Sequence, residues 1–446
     1  MPAGRRHCLV FGLAAAAYVG LRLAAFLPAT TRTWPDSATY VQAAAHPLFS
    51  QDFLAGGRAP GLPLLYKLLP DSDLRRGDGQ LAVSIACWLA LASALAWCMR
   101  RPGLRPVAFG LVLLVSLSIW ITQWDRVILS ESLGISLTAA LFAAWLALVR
   151  APNGWTVAAV LATTALWAFT RDTNALLVLL AVPCVLGWIA LRGVRPGRVV
   201  LAAGLVAIFA ASTASQSGPH ASWARWEAPL LNVIGVRVLT NPGELHYFRD
   251  HGMPLPRPVR VLDGTLLGSR HLSPGTALDR DPHLEGFRDW VRGHGRQTLG
   301  TYLMTHPYRA FRPVVEDRGP LFETDPSGYE GEGLRLAGYG AHGVPRLLPA
   351  PLATAVYPPT IAALLAWLAV VAAAAILLAR RGFARPVWLV PALAVVFQIP
   401  HAAIVWNGGP TDIARHAVLV GLMTRLGLLL LTIFLIDAAL EARRSP

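Results

Sequence analysis

The chain has 446 residues, of which 54% are hydrophobic and 14% charged, with a formal net charge of +14. A soluble globular chain carries roughly 25% charged residues, so an ordinary water-soluble domain is excluded and lipid becomes the expected solvent. The positive charge does not argue for nucleic acid, because the arginines gather beside apolar runs rather than along one polar face.

A helix needs about 20 apolar residues to cross roughly 30 Å of hydrocarbon. Such runs are predicted at 8–28, 80–98, 104–123, 132–149, 154–170, 174–191, 199–215, 357–379, 386–404 and 417–438. The first exceeds the roughly 7 to 15 residue core of a signal peptide and lacks a small-x-small cleavage site, so it is expected to be an anchor. Cys8, Cys87, Cys98 and Cys184 all fall in or beside these runs, which predicts small buried hydrophobes and neither a disulfide framework nor a zinc site. Basic residues mark every second gap: Arg5 and Arg6, then Arg100, Arg101 and Arg105, then Arg150, then Arg192, Arg195 and Arg198, then Arg380, Arg381 and Arg385, and last Arg443 and Arg444. The positive-inside rule makes that side cytoplasmic.

The predicted fold class is an all-α polytopic membrane protein of about ten transmembrane helices with a large extracytoplasmic loop subdomain. It is expected in the cell inner (plasma) membrane with both termini cytoplasmic. Three regions follow: an N-terminal module at 1–215, the loop at 216–356 and the C-terminal helices at 357–446. The loop carries fifteen arginines and fourteen acids, so its charge says little about orientation. Stretches 283–300 and 301–315 are predicted amphipathic helices, whereas the proline-rich pieces 252–260 and 345–358 are predicted irregular. His246, His251 and His306 lack ligand spacing and are read as structural or surface groups, and Asp279-Arg280-Asp281 as a solvated acid pair.

The far side collects a particular set of polar residues. After the first span comes Trp34-Pro35-Asp36-Ser37-Ala38-Thr39-Tyr40, where Asp36 can cap a short helix and still face water. Next is Gly57-Arg58-Ala59-Pro60-Gly61-Leu62-Pro63-Leu64-Leu65-Tyr66-Lys67, an interfacial segment with cations near both ends, one of them the only lysine in the chain. Asp125-Arg126 and Ser130-Glu131-Ser132 follow, then Arg171-Asp172, and finally Asp412, Arg415 and His416 at the last span. Two charges lie inside spans, where insertion costs at least ~2.5 kcal/mol. Arg22 is expected to snorkel outward, and Arg425 to take an ion pair or a donor contact.

In their order and common side, these motifs resemble those of the GT-C class of membrane glycosyltransferases, especially the branch with protein O-mannosyltransferases and lipid A aminoarabinose transferases. The resemblance covers about the first 175 residues and, more loosely, the final Asp-x-x-Arg-His helix. It implies a polyprenyl-phosphate-linked sugar donor and a cell-envelope acceptor, namely a protein, polysaccharide or glycolipid. It also implies that Asp36 is the general base. Displacing a phosphate from an anomeric carbon requires a base and cations for the departing charge. Arg58, Lys67, Arg171 and Arg415 are therefore the expected phosphate ligands, with Tyr40, Asp125, Glu131, Asp172 and His416 positioning the acceptor. The second acid that many relatives place in the first loop is replaced by Ser37, which favours a metal-independent reaction or one in which Glu131 completes a site. No cofactor and no nucleic acid partner is expected. A lipid-linked sugar flippase and a non-catalytic envelope assembly protein remain alternatives.

Overall fold

The computed structural model describes residues 3–27, 31–33, 35–216, 225–261, 264–267, 281–322, 347–358, 360–410 and 413–444. Trp34, Asp279, Arg280 and Asp412 lie outside them. Among the described residues the structure is helical, and the only β pairing is an isolated bridge between Arg32 and Val127. In hydrocarbon a backbone satisfied within its own segment is the one stable solution for a lone span.

The bundle is built from α1 (Ala3–Phe26), α4 (Asp73–Cys98), α5 (Arg105–Ser116), α6 (Ser130–Arg150), α7 (Gly154–Ala168), α8 (Asp172–Arg192), α9 (Pro196–Ser215), α13 (Ile361–Arg380), α14 (Leu389–Gly408) and α15 (Ile413–Ala442). At the mouth of the bundle lie α2 (Pro35–Ala45) and α3 (Gly61–Lys67); beyond it come α10 (Pro242–Asp250), α11 (Arg296–Thr305) and α12 (Pro307–Glu316). Eight helices among the described residues are long and apolar enough to cross a membrane. A ninth crossing is available if α5 and the segment Ile119–Arg126, bent by 56° from it, act as one broken span, and α7 is a shorter apolar helix of 15 residues. The chain is a multi-pass membrane protein.

Short connections make successive bundle helices antiparallel. One end therefore gathers Arg100, Arg101, Arg150, Arg192, Arg195, Arg198 and Arg385, and is called the basic end below. There Asp437 of α15, fully buried, accepts the backbone N–H of Arg100 (3.1 Å) and Arg101 (3.2 Å) and the Arg385 guanidinium (2.5 Å). Arg385 and Arg100 also pair with Glu441.

Of the two intramembrane arginines, Arg22 departs from the sequence expectation, whereas Arg425 is packed away from lipid as expected. Arg22 does not snorkel: it is 1% exposed, pairs with Asp125, and donates to Ser84 Oγ and the Ser116 carbonyl, both at 2.8 Å. The Ser116 carbonyl lies at the α5 break, where Ser118 starts a new turn by accepting the Trp120 N–H, so Arg22 satisfies a carbonyl that the helix has released. Arg425 donates to the carbonyls of Pro358 (2.9 Å), Leu321 (3.1 Å) and Gly421 (3.1 Å) and stacks on the Tyr357 ring. It lies 12 residues into α15, about 18 Å from the start of that helix.

Described residues between Trp226 and Leu303 form a small hydrophobic cluster of their own around Leu231, Ile234, Phe248, Leu267 and Phe287. The predicted amphipathic stretches fold as consecutive helical turns ending in α11 and α12. Two pieces expected to be irregular contain helix, Arg257–Arg260 and Ala350–Val356, each with a proline in its first turn, where the missing N–H is harmless. His251 stacks on Tyr247 and His306 on Tyr302, with ring centroids 4.1 and 4.5 Å apart.

Candidate functional site

The site lies at the end of the bundle opposite the basic end. Its frame is set by backbone pairing between loops. Arg32 donates its N–H to the Arg126 carbonyl (2.8 Å) and accepts from Ile128 (3.0 Å), and Ser37 Oγ donates to the Ile128 carbonyl (2.7 Å). The first turn of α2, which carries Asp36, is thereby fixed against the entrance of α6, which carries Glu131. A second loop is held by Gly61, whose N–H donates to the Phe169 carbonyl at 2.8 Å. A Cβ at Gly61 would stand 2.7 Å from that carbonyl oxygen, so only glycine allows the Arg58 segment to approach the loop before Arg171.

Asp36 sits between two arginines. Its Oδ1 accepts from Arg58 at 2.6 Å and its Oδ2 from Arg415, 379 residues away, at 3.0 Å. Thr39 Oγ1 accepts a further bond from Arg58 Nε at 2.6 Å, and the Tyr40 ring lies under the same guanidinium, 4.8 Å from its centre. Tyr40 itself is fixed by donating to Ser130 Oγ at 3.2 Å. Partial burial pushes the Asp36 carboxyl up, but Arg58 and Arg415 outweigh it and hold the group below the usual carboxylate range.

Glu131 is 1% exposed and lies between Arg415 (3.3 Å) and Arg171 (3.4 Å). Among the described residues neither of its oxygens has a hydrogen-bond partner, and Arg171 Nη1 is likewise buried without one. Asp172 pairs with Arg225 at 3.3 Å. Arg225 donates to Ser215 Oγ at 3.1 Å, yet its Nε and Nη1 are buried and unpartnered. Burial lowers the proton affinity of Arg225, Asp172 and Tyr40 oppose that, and nearby Arg58 adds to it. His416 follows Arg415, 3.5 Å from its Nη2. The described cluster thus holds four guanidiniums, Arg58, Arg171, Arg225 and Arg415, against three carboxylates, Asp36, Glu131 and Asp172. A net positive site with unmet buried N–H groups has the donors and the charge to accept an anion.

Two expected site residues are used elsewhere. Lys67 donates its Nζ to the carbonyls of Ala44 (2.9 Å) and His46 (2.5 Å), closing the C-terminus of α2, where a cation meets the negative end of the helix dipole. Asp125 is 2% exposed and committed to Arg22 and to Ser132 Oγ (3.3 Å), so an acceptor cannot reach it. Its neighbour Arg126 donates to the Phe26 carbonyl at 2.7 Å and caps α1. Conversely, sequence reasoning passed over Arg225. Nothing in its local pattern separates it from the other loop arginines, and the available signal was its place ten residues beyond the end of α9.

Among the described residues no group of three or more His, Cys, Asp or Glu gathers as metal ligands. The chain matches no known family model, and no similarity to a curated protein reaches significance.

Proposed function

We propose that the chain is a membrane glycosyltransferase that moves a sugar from a polyprenyl-phosphate donor to a cell-envelope hydroxyl on the extracytoplasmic side. The observation that carries this reading is the juxtaposition of a partly exposed carboxylate with four guanidiniums, two of which keep buried nitrogens without partners. The basic end then faces the cytoplasm of a plasma membrane by the positive-inside rule.

In the reaction the acceptor oxygen attacks the anomeric carbon while its proton passes to a carboxylate oxygen of Asp36. The bond from the anomeric carbon to the phosphate oxygen breaks, and the lipid phosphate leaves with the electron pair, its charge taken by the arginines. Asp36 has this role because its side chain is 33% exposed, whereas Glu131 at 1% is sealed from any acceptor. Glu131 instead holds Arg171 and Arg415 in place, and Tyr40 supports Arg58.

A carboxylate gripped by two arginines is a weak base. Donor phosphate oxygens compete for the same guanidiniums, so donor binding loosens the grip and restores the basicity of Asp36 when acceptor arrives. The test is transfer from a synthetic polyprenyl-phosphate sugar by purified protein. Asp36→Asn is expected to lower turnover by about 10²–10⁴-fold while donor binding persists. Turnover near wild type would reject Asp36 as the base.

A further inference from the structure

A cavity of about 940 Å³ opens among α6, α7, α8, α9, α14 and α15, away from the Asp36 cluster. Its size is at the upper end of pockets that hold small ligands, commonly about 300–1,000 Å³. Its walls are apolar, with Phe142, Trp145, Trp188, Leu393 and Phe397 among the lining side chains. Its mouth at the basic end is lined by Arg192, Arg195 and Arg198, and among the described residues no acidic side chain lines it. Arg198 is held there by donating to the Gly193 carbonyl (2.6 Å) and lying over the Trp188 ring at 4.7 Å.

From Arg192 to Leu177, the deepest α8 residue in the lining, the cavity follows 15 residues of helix, about 22 Å. That is the scale of one membrane leaflet rather than of a whole bilayer. The lining ends at Trp167 and Gln398. Gln398 shares a 2.8 Å hydrogen bond with buried His401, and Trp167 donates to Thr138 Oγ1 at 3.0 Å. This buried polar layer stands between the cavity and the Arg171 side of the cluster.

We propose that the cavity is a binding site for one anionic phospholipid of the leaflet at the basic end, its phosphate on the three arginines and its acyl chains between α6, α8 and α14. A slot with apolar walls and a purely cationic rim complements that amphiphile in both parts, and membrane arginines attract anionic headgroups specifically. The inference does not depend on the transferase reading, because no residue of the Asp36 cluster lines the cavity.

Trp145, Trp167 and Trp188 line the slot, so a bound chain is readable by tryptophan quenching. Full-length protein is reconstituted in phosphatidylcholine vesicles doped with a minor fraction of chain-brominated phosphatidylglycerol or, in parallel, chain-brominated phosphatidylcholine. Greater quenching by the phosphatidylglycerol is expected. That excess is expected to vanish both in R192Q/R195Q/R198Q and in Ala394→Trp, which fills the slot but leaves the arginines. Equal quenching by the two lipids in the wild type overturns the proposal. So does an excess that survives Ala394→Trp in protein still folded by circular dichroism, since it then reports general attraction to the surface. Loss of the excess on adding unbrominated polyprenyl phosphate also overturns it, because the cavity then belongs to the donor tail.

Discussion

The two ends of the bundle use the same side chains to opposite effect. At the basic end Asp437 is fully buried and both its oxygens are engaged by two backbone N–H groups and Arg385. At the other end, among the described residues, Glu131 meets two arginines through Oε1 alone and neither of its oxygens accepts a hydrogen bond, and Asp36 is partly open to solvent. Among the described residues of these two clusters, Arg385 keeps one unpartnered nitrogen, whereas Arg171 and Arg225 together keep three. A carboxylate surrounded by filled donors holds helices together. One surrounded by unfilled donors leaves buried N–H groups whose desolvation is not offset within the described residues, and that is a cost rather than a gain in stability.

The contrast can be broken or sharpened by mutation, beginning with the general-base substitution already described, Asp36→Asn, which carries the largest effect on rate. Asp125→Ala strips the partner from buried Arg22 and is expected to cost about 3–5 kcal/mol of stability, read as a large fall in the thermal midpoint in detergent. A shift of a degree or two would show that Arg22 finds other partners. Arg225→Gln removes donors from the open cluster and is expected to weaken donor binding by about 1.5–3 kcal/mol, measured by titration with a polyprenyl-phosphate sugar. Unchanged affinity would leave Arg225 as a brace for Asp172 alone. Lys67→Gln belongs with the closed contacts, and its loss as a helix cap is expected to cost about 0.3–1 kcal/mol with donor affinity unaltered.

A pH experiment separates Asp36 from both groups. Its carboxyl is held below the ordinary range by Arg58 and Arg415 against the upward push of burial. The clamp therefore contributes stability above the unfolded carboxyl value near ~4, and loses it as pH falls through the lowered folded value. Arg415→Gln removes one cation and raises the folded value toward the unfolded one, so the acid-dependent loss of stability is expected to be smaller and to be complete at higher pH than in the wild type. Coincident acid unfolding curves would count against the clamp.

The membrane helices were legible because hydropathy and backbone satisfaction act on each segment alone. The continuous apolar run 104–123 nevertheless hides the break after Ser116, since the groups that make it tolerable, Arg22 and the Ser118 cap, include one from a different helix. At the site, alternation of the spans brings Asp36, Arg58, Glu131, Arg171 and Arg415 to one end. Which carboxylate meets which guanidinium was not legible. Asp125 and Glu131 stand six residues apart at one helix mouth, yet one is locked to Arg22 and the other lies between Arg171 and Arg415. That division depends on side chains from 40 to 284 residues distant, and no local pattern encodes it. The same holds for Lys67, whose acceptors are the carbonyls that α2 leaves open at its end.

Arg425 carries one more implication. A single guanidinium grips the carbonyls of Leu321 and Pro358 together, so two points 37 residues apart in the chain are held side by side against α15. Such a pin fixes, from within the membrane, the separation that the chain between these two carbonyls has to close, and the entropy of that closure is set by the gap and only slowly by the length of chain that closes it.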